Sequence, residues 1–212
     1  MSGGRTVDDV IREHFRRSAE LKLQAAQACV ADIQRAADLI AEAFKAGGKL
    51  LICGNGGSAA DAQHMAAEFV SRLTVDFERP GLPALALTTD TSILTAYAND
   101  FDFDGVFARQ VQALGRNGDV LLGISTSGSS RNVVQAAAAA RSVGMKVIML
   151  VGRAGTRSDV ADVSICIPSA TTAHIQECHL AVEHVICQLV ERQLFGAGAP
   201  HVAATRPDSV GG

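Results

Sequence analysis

The chain has 212 residues, of which 48% are hydrophobic and 19% charged, and its formal net charge is -3. That length supports one full-sized core, the composition excludes a disordered chain, and the charge offers nucleic acid no broad basic surface. No run reaches the roughly 18 to 20 apolar residues of a membrane span. The polar, charged start from Met1 to Phe15 lacks the character of a signal peptide, so a cytosolic protein with a small ligand, no nucleic acid and no membrane partner is expected.

From Val7 to Ala46 the pattern is helical, with Ile33, Ala37, Ile40 and Phe44 on one stripe. One long helix or two shorter ones are expected over residues 1–48, an extension whose apolar face suits packing against another subunit. From Lys49 onward short apolar runs (50–53, 84–87, 120–124, 147–151, 163–167) alternate with helical stretches (59–73, 91–98, 105–114, 130–143, 173–195). Such alternation predicts an α/β fold, a three-layer sandwich with a five-stranded parallel sheet of flavodoxin-like type between helices. Residues 49–196 form the ligand-binding domain on this reading, and the Gly-, Pro- and Ala-rich stretch 197–212 a flexible tail. The five cysteines, Cys29, Cys53, Cys166, Cys178 and Cys187, form no CxxC pair and read as small apolar core residues.

Ligands of open α/β sheets bind at the carboxyl ends of strands. After the first strand comes Gly54-Asn55-Gly56-Gly57-Ser58, leading into a helix whose N-terminus presents free N–H groups to an anion. After the third comes Ser125-Thr126-Ser127-Gly128-Ser129-Ser130-Arg131-Asn132. Its hydroxyls, and a glycine that lets the backbone amides curl inward, make a phosphate cradle without a lysine. The plainer alternative is a polar turn with Ser129 or Ser130 as helix N-cap. Neither GxGxxG after the first strand nor GxxxxGK[ST] anywhere occurs, so no nucleotide cofactor is expected.

Asp61, His64 and Glu68 fall at i, i+3 and i+7 on one helix face behind the glycine loop. A solvated, ion-paired stripe would look the same. Gln176, His179 and His184 lie on the last long helix in an apolar background, where a histidine is commonly a satisfied core residue. His64 and Glu68 are natural co-ligands at i and i+4. Gln176 and His184 are about 12 Å apart along the axis. Imidazole and carboxylate donors suit zinc, whereas an amide is a weak ligand.

The run from Gly54 to His64, Ala98-Asn99-Asp100, Gly123 to Asn132 and Ile175-Gln176-Glu177 together resemble the phosphoheptose isomerases of the sugar isomerase (SIS) fold. The resemblance covers about residues 5 to 196. It implies a cytoplasmic homotetramer with active sites between subunits. The reaction implied converts sedoheptulose 7-phosphate into D-glycero-D-manno-heptose 7-phosphate, the first step of nucleotide-activated (ADP- or GDP-) heptose synthesis for bacterial surface polysaccharides such as lipopolysaccharide. Carried over residue by residue, Asn55, Gly56, Gly57, Ser58, Asp61, Glu68, Asn99, Asp100, Ser125, Thr126, Ser127, Ser130 and Gln176 would bind substrate. His64, Glu68, Gln176 and His184 would hold one zinc ion per subunit, Glu68 acting as base and His184 as acid. The same fold also serves as a non-catalytic partner of the replication initiator DnaA, but those proteins lack the equivalents of Glu68 and His184. A third reading is a sugar-phosphate sensor domain, which would need a DNA-binding module that the N-terminal helices do not resemble.

Overall fold

The computed structural model describes residues 6–75, 77–153, 155 and 159–196; the expected tail over 197–212 lies outside them. The N-terminal region forms two helices, α1 (Val7–Ala28) and α2 (Val30–Lys45). A capping box opens α1: the Thr6 side chain accepts from the Asp9 N–H, and the Asp9 carboxylate accepts from the Thr6 N–H. Neither Pro nor Gly separates the two helices. They meet at buried Cys29, whose Sγ lies 3.5 Å from Cys166 O.

Five strands follow: β1 (Leu50–Gly54), β2 (Ala84–Ala86), β3 (Val120–Ser125), β4 (Lys146–Gly152) and β5 (Val163–Ile167). All pair in parallel in the order β2-β1-β3-β4-β5. The expected flavodoxin-like three-layer sandwich is therefore the fold. The strand period of two sends Leu50, Ile52, Leu122, Ile124, Ile148 and Ile165 into one apolar cluster with α1, α2, α3 (Gly57–Val70) and α7 (Thr172–Phe195). It sends Leu51, Cys53, Leu121, Val147 and Met149 into another with α5 (Val106–Leu114) and α6 (Arg131–Ser142). Burial on both faces explains why β1 and β3 are continuous apolar runs. The short α4 (Thr91–Asp100) buries no residue. Cys29, Cys53, Cys178 and Cys187 are buried free thiols and Cys166 is half-buried, as core residues would be.

Strand order reverses between β1 and β3: from β1 the chain moves outward to β2, then crosses back to β3 on the other side. The crevice at such a reversal is where open α/β sheets place their ligands. It opens between the glycine loop and the serine loop.

Candidate active site

Both loops deliver uncapped helix N-termini to this crevice. Gly56, at φ +56° where L side chains are disfavoured, is the N-cap of α3 and makes no side-chain capping bond. Ser130 stands at the N-cap of α6, also without a side-chain capping bond. By contrast, Asp90 caps α4 through the Ile93 N–H at 2.9 Å. The N-cap alternative for the serine loop is thus not what the hydroxyls do. Ser125 Oγ lies 2.9 Å from Ser130 Oγ and 3.5 Å from Ser127 Oγ, while the Ser129 hydroxyl donates to Ser127 Oγ at 2.9 Å. A hydroxyl cluster beside a helix N-terminus is an arrangement suited to an anion.

The turn depends on Gly128, whose φ is +68° and whose N–H donates to Ser125 O at 2.9 Å. A Cβ there would stand 2.3 Å from Gly155 Cα. Gly128→Ala is expected to cost about 2 kcal/mol through left-handed strain alone, and to raise KM for a phosphorylated substrate more than it lowers kcat. Urea unfolding and steady-state kinetics check this; an unchanged KM would show that the loop does not hold the phosphate.

The two loops are locked together by a reciprocal amide pair. Asn55 Nδ2 donates to Asn132 Oδ1 and Asn132 Nδ2 to Asn55 Oδ1, each at 2.8 Å. Asn132 is buried and escaped notice as a positioning residue in the sequence, although it sits within the serine motif. Gly57 backs onto α7: a Cβ there would meet Gln176 Nε2 at 2.9 Å.

Behind the loops, α3 and α7 face each other. Gln176 Nε2 donates to Asp61 at 3.1 Å. Burial raises the Asp61 carboxyl above its ordinary value, and the Gln176 bond opposes the rise. One turn further along, His64 Nε2 lies 2.8 Å from His184 Nε2 and 3.5 Å from Glu68 Oε1. One donor atom from each of His64, Glu68 and His184 falls within 4.8 Å of the others. Glu68 Oε2 is buried and has no hydrogen-bond partner among the described residues. Arg79 holds this helix end: its guanidinium donates to Glu68 O and Phe69 O at 2.7 Å and pairs with buried Glu191 at 2.6 Å. A cation on the last carbonyls of a helix is favourable, and nothing in the local pattern around Arg79 announces it.

His179 resolves as the core histidine. It is fully buried with Nε2 3.3 Å from Val151 O, and burial pushes its imidazole down to about 4. Asn99 and Asp100 stand exposed at the end of α4, with Asn99 Nδ2 donating to Asp100 Oδ1 at 2.9 Å; Thr126 is half-buried, its carbonyl accepting from the Gly152 N–H at 3.0 Å. Glu183, next to His184, is the unexpected residue: fully buried, with both carboxyl oxygens lacking a hydrogen-bond partner among the described residues.

A hydroxyl-rich loop suited to an anion, together with a carboxylate and paired imidazoles, is the kind of equipment that holds a phosphorylated molecule and moves protons on it. The SIS domain model matches residues 13–152. The chain is 55% identical over 192 residues to the phosphoheptose isomerase of Thiobacillus denitrificans, covering 89% of this chain and 96% of that one. A solved phosphoheptose isomerase structure from Neisseria gonorrhoeae superposes with a TM-score of 0.82 at 45% identity, over 88% of this chain and 99% of that one. Another, from Francisella tularensis, gives 0.85 at 38% identity, over 89% and 100%. With fold, crevice and relatives in agreement, this chain belongs to the phosphoheptose isomerase family and is a sugar-phosphate isomerase.

Proposed function

We propose that the chain interconverts sedoheptulose 7-phosphate and D-glycero-D-manno-heptose 7-phosphate, the substrate chemistry that the names of its relatives point to. The observation that carries the reading is the meeting of Glu68 with the His64–His184 pair, in a fold that also gathers the Ser125–Ser130 hydroxyls. A ketose becomes an aldose when a base takes a proton from C1, a cis-enediol forms, and a proton returns to C2 while the hydroxyl protons on O1 and O2 redistribute. Glu68, whose Oε2 has no hydrogen-bond partner among the described residues, would be the base. His184 would be the acid that protonates the carbonyl oxygen and recovers the proton afterwards; while no metal lies between them, the 2.8 Å His64–His184 contact needs a proton on one of the two nitrogens. On this reading the cradle anchors the phosphate at the far end of the sugar, and Asn55, Gly56, Gly57, Ser58, Asp61 and Gln176 would contact the sugar between. DnaA binding as an alternative gains no support from the relatives.

The donor set also fits a divalent metal. His64, Glu68 and His184 bring two imidazoles and a carboxylate within 4.8 Å, and Glu68 has a buried oxygen without a partner among the described residues, whereas Gln176 stands about two turns from His184 on α7 and donates to Asp61 instead. Zinc on these residues would supply a Lewis-acid charge beside the substrate carbonyl. Asn99 and Asp100 would join the site in an assembly. The exposed Val7, Ile11 and Phe15, at i, i+4 and i+8 of α1, form an apolar stripe that a tetramer would cover.

Purified protein supplied with sedoheptulose 7-phosphate is expected to form the aldose. Turnover of a six-carbon ketose phosphate with none of the seven-carbon sugar would overturn the substrate assignment.

A further inference from the structure

A second cluster of metal-binding side chains lies away from this crevice, where α1 crosses α7. His14 Nε2 is 2.9 Å from Glu177 Oε1, His174 Nδ1 is 3.5 Å from Glu177 Oε2, and the two imidazole rings are 4.6 Å apart between centroids. Donor atoms of His14, His174 and Glu177 all fall within 4.8 Å of one another. His174 is buried, and its Nδ1 has no hydrogen-bond partner among the described residues. A buried imidazole nitrogen aimed at a carboxylate without completing a hydrogen bond is a donor awaiting a partner. Behind the carboxylate, the Ser18 hydroxyl donates to Glu177 Oε2, and Lys22 Nζ donates to Ser18 Oγ at 2.9 Å. That bond orients Glu177 as outer hydrogen bonds orient metal-binding carboxylates, and holds it below its ordinary value, with the His14 contact adding to the effect.

The geometry points to a second divalent-cation site, formed by His14, His174 and Glu177, that clamps α1 onto α7. Two imidazoles and one carboxylate suit zinc, cobalt or nickel, with water completing a tetrahedral set. His14 is exposed, which gives the ion a way in. The clamp matters because α1 buries only Ser18, Leu21 and Ala25, and its first three turns bury nothing. A cation at His14 would fix those turns, which carry the exposed Val7, Ile11 and Phe15 stripe.

The test uses the full chain, stripped of metal, carrying His64→Ala and His184→Ala so that the crevice cannot compete. Zinc titration by calorimetry is expected to show about one equivalent bound per chain and a Tm raised by several degrees, with a cobalt-substituted sample giving a visible d–d spectrum. Adding His14→Ala, or separately Glu177→Gln, is expected to weaken binding about tenfold or more and abolish the Tm shift. No zinc binding by the double variant, or binding that both added substitutions leave intact, overturns the proposal. If the crevice takes no metal, the unsubstituted chain would bind one equivalent that His14→Ala removes, so the two zinc assignments fail separately.

Discussion

Replacing Glu68 by glutamine is expected to lower kcat for aldose formation by about 10²- to 10⁴-fold, the usual worth of a positioned acid or base, while the melting temperature stays close to that of the parent. The substitution keeps the shape of a side chain that is largely buried on α3 and removes its basicity, so a folded but inactive protein is the signature of a base. His184→Ala should give a loss of similar order, because it removes the proposed acid together with its 2.8 Å contact to His64. The two losses should combine to far less than their product, since both residues act on one proton relay. Undiminished turnover in either variant would remove that residue from the mechanism. Metal content measured on both variants separates loss of base from loss of zinc.

The second large effect concerns stability rather than turnover. Glu183 is fully buried without a hydrogen-bond partner among the described residues, and burial, reinforced by the nearby Asp61 charge, raises its carboxyl from 4.5 to about 9. A folded-state value above the unfolded one means the native protein holds the proton more tightly. The stabilisation is complete below about pH 4.5 and is lost as pH rises toward 9. Each unit of separation is worth about 1.4 kcal/mol, so unfolding free energy should fall by a few kcal/mol between pH 5 and pH 9. Glu183→Gln, which stays neutral at the same volume, should flatten that slope and be more stable than the parent at pH 9. Urea unfolding at pH 5, 7 and 9 measures it; parallel slopes for the two proteins would show that Glu183 is not buried as a neutral acid. Glu177 acts in the opposite sense. Its value is held down by the Ser18 hydroxyl, so its contribution is present above the unfolded value and lost as pH falls. His179, pushed by burial from 6.5 to about 4, likewise adds stability as pH rises through that range, so of these three groups Glu183 alone sets the slope between pH 7 and pH 9.

Much of the molecule was legible in one dimension. β1 and β3 are buried on both faces, so their apolar runs identify them without a partner in view. The loops after them are conspicuous because helix N-termini that receive anions need glycine for backbone approach and hydroxyls for donors. Boundaries moved where local signals compete with tertiary ones. α3 begins at Gly57, two residues before the expected start, since a glycine that sequence reasoning assigns to the loop can turn helical when Gln176 packs against it. The N-terminal pattern divides at Cys29, which carries no helix-breaking signal; in the fold it is buried, its thiol 3.5 Å from Cys166 O on the edge strand.

The sequence by itself determined the order of strands and helices, the two ligand loops and the helix faces bearing Asp61, His64, Glu68, Gln176 and His184, because these follow from side-chain period and backbone permission over a few residues. The tertiary structure alone decided which groups meet. His64 and His184 are 120 residues apart in the chain, Asn55 and Asn132 are 77 apart, and His14 and Glu177 are 163 apart. It also decided that His179 and Glu183 are both sealed from water, Glu183 next to His184 in the chain. Burial depends on what the rest of the chain lays over a side chain, and that is set by the packing of whole helices on the sheet, which no local spacing encodes.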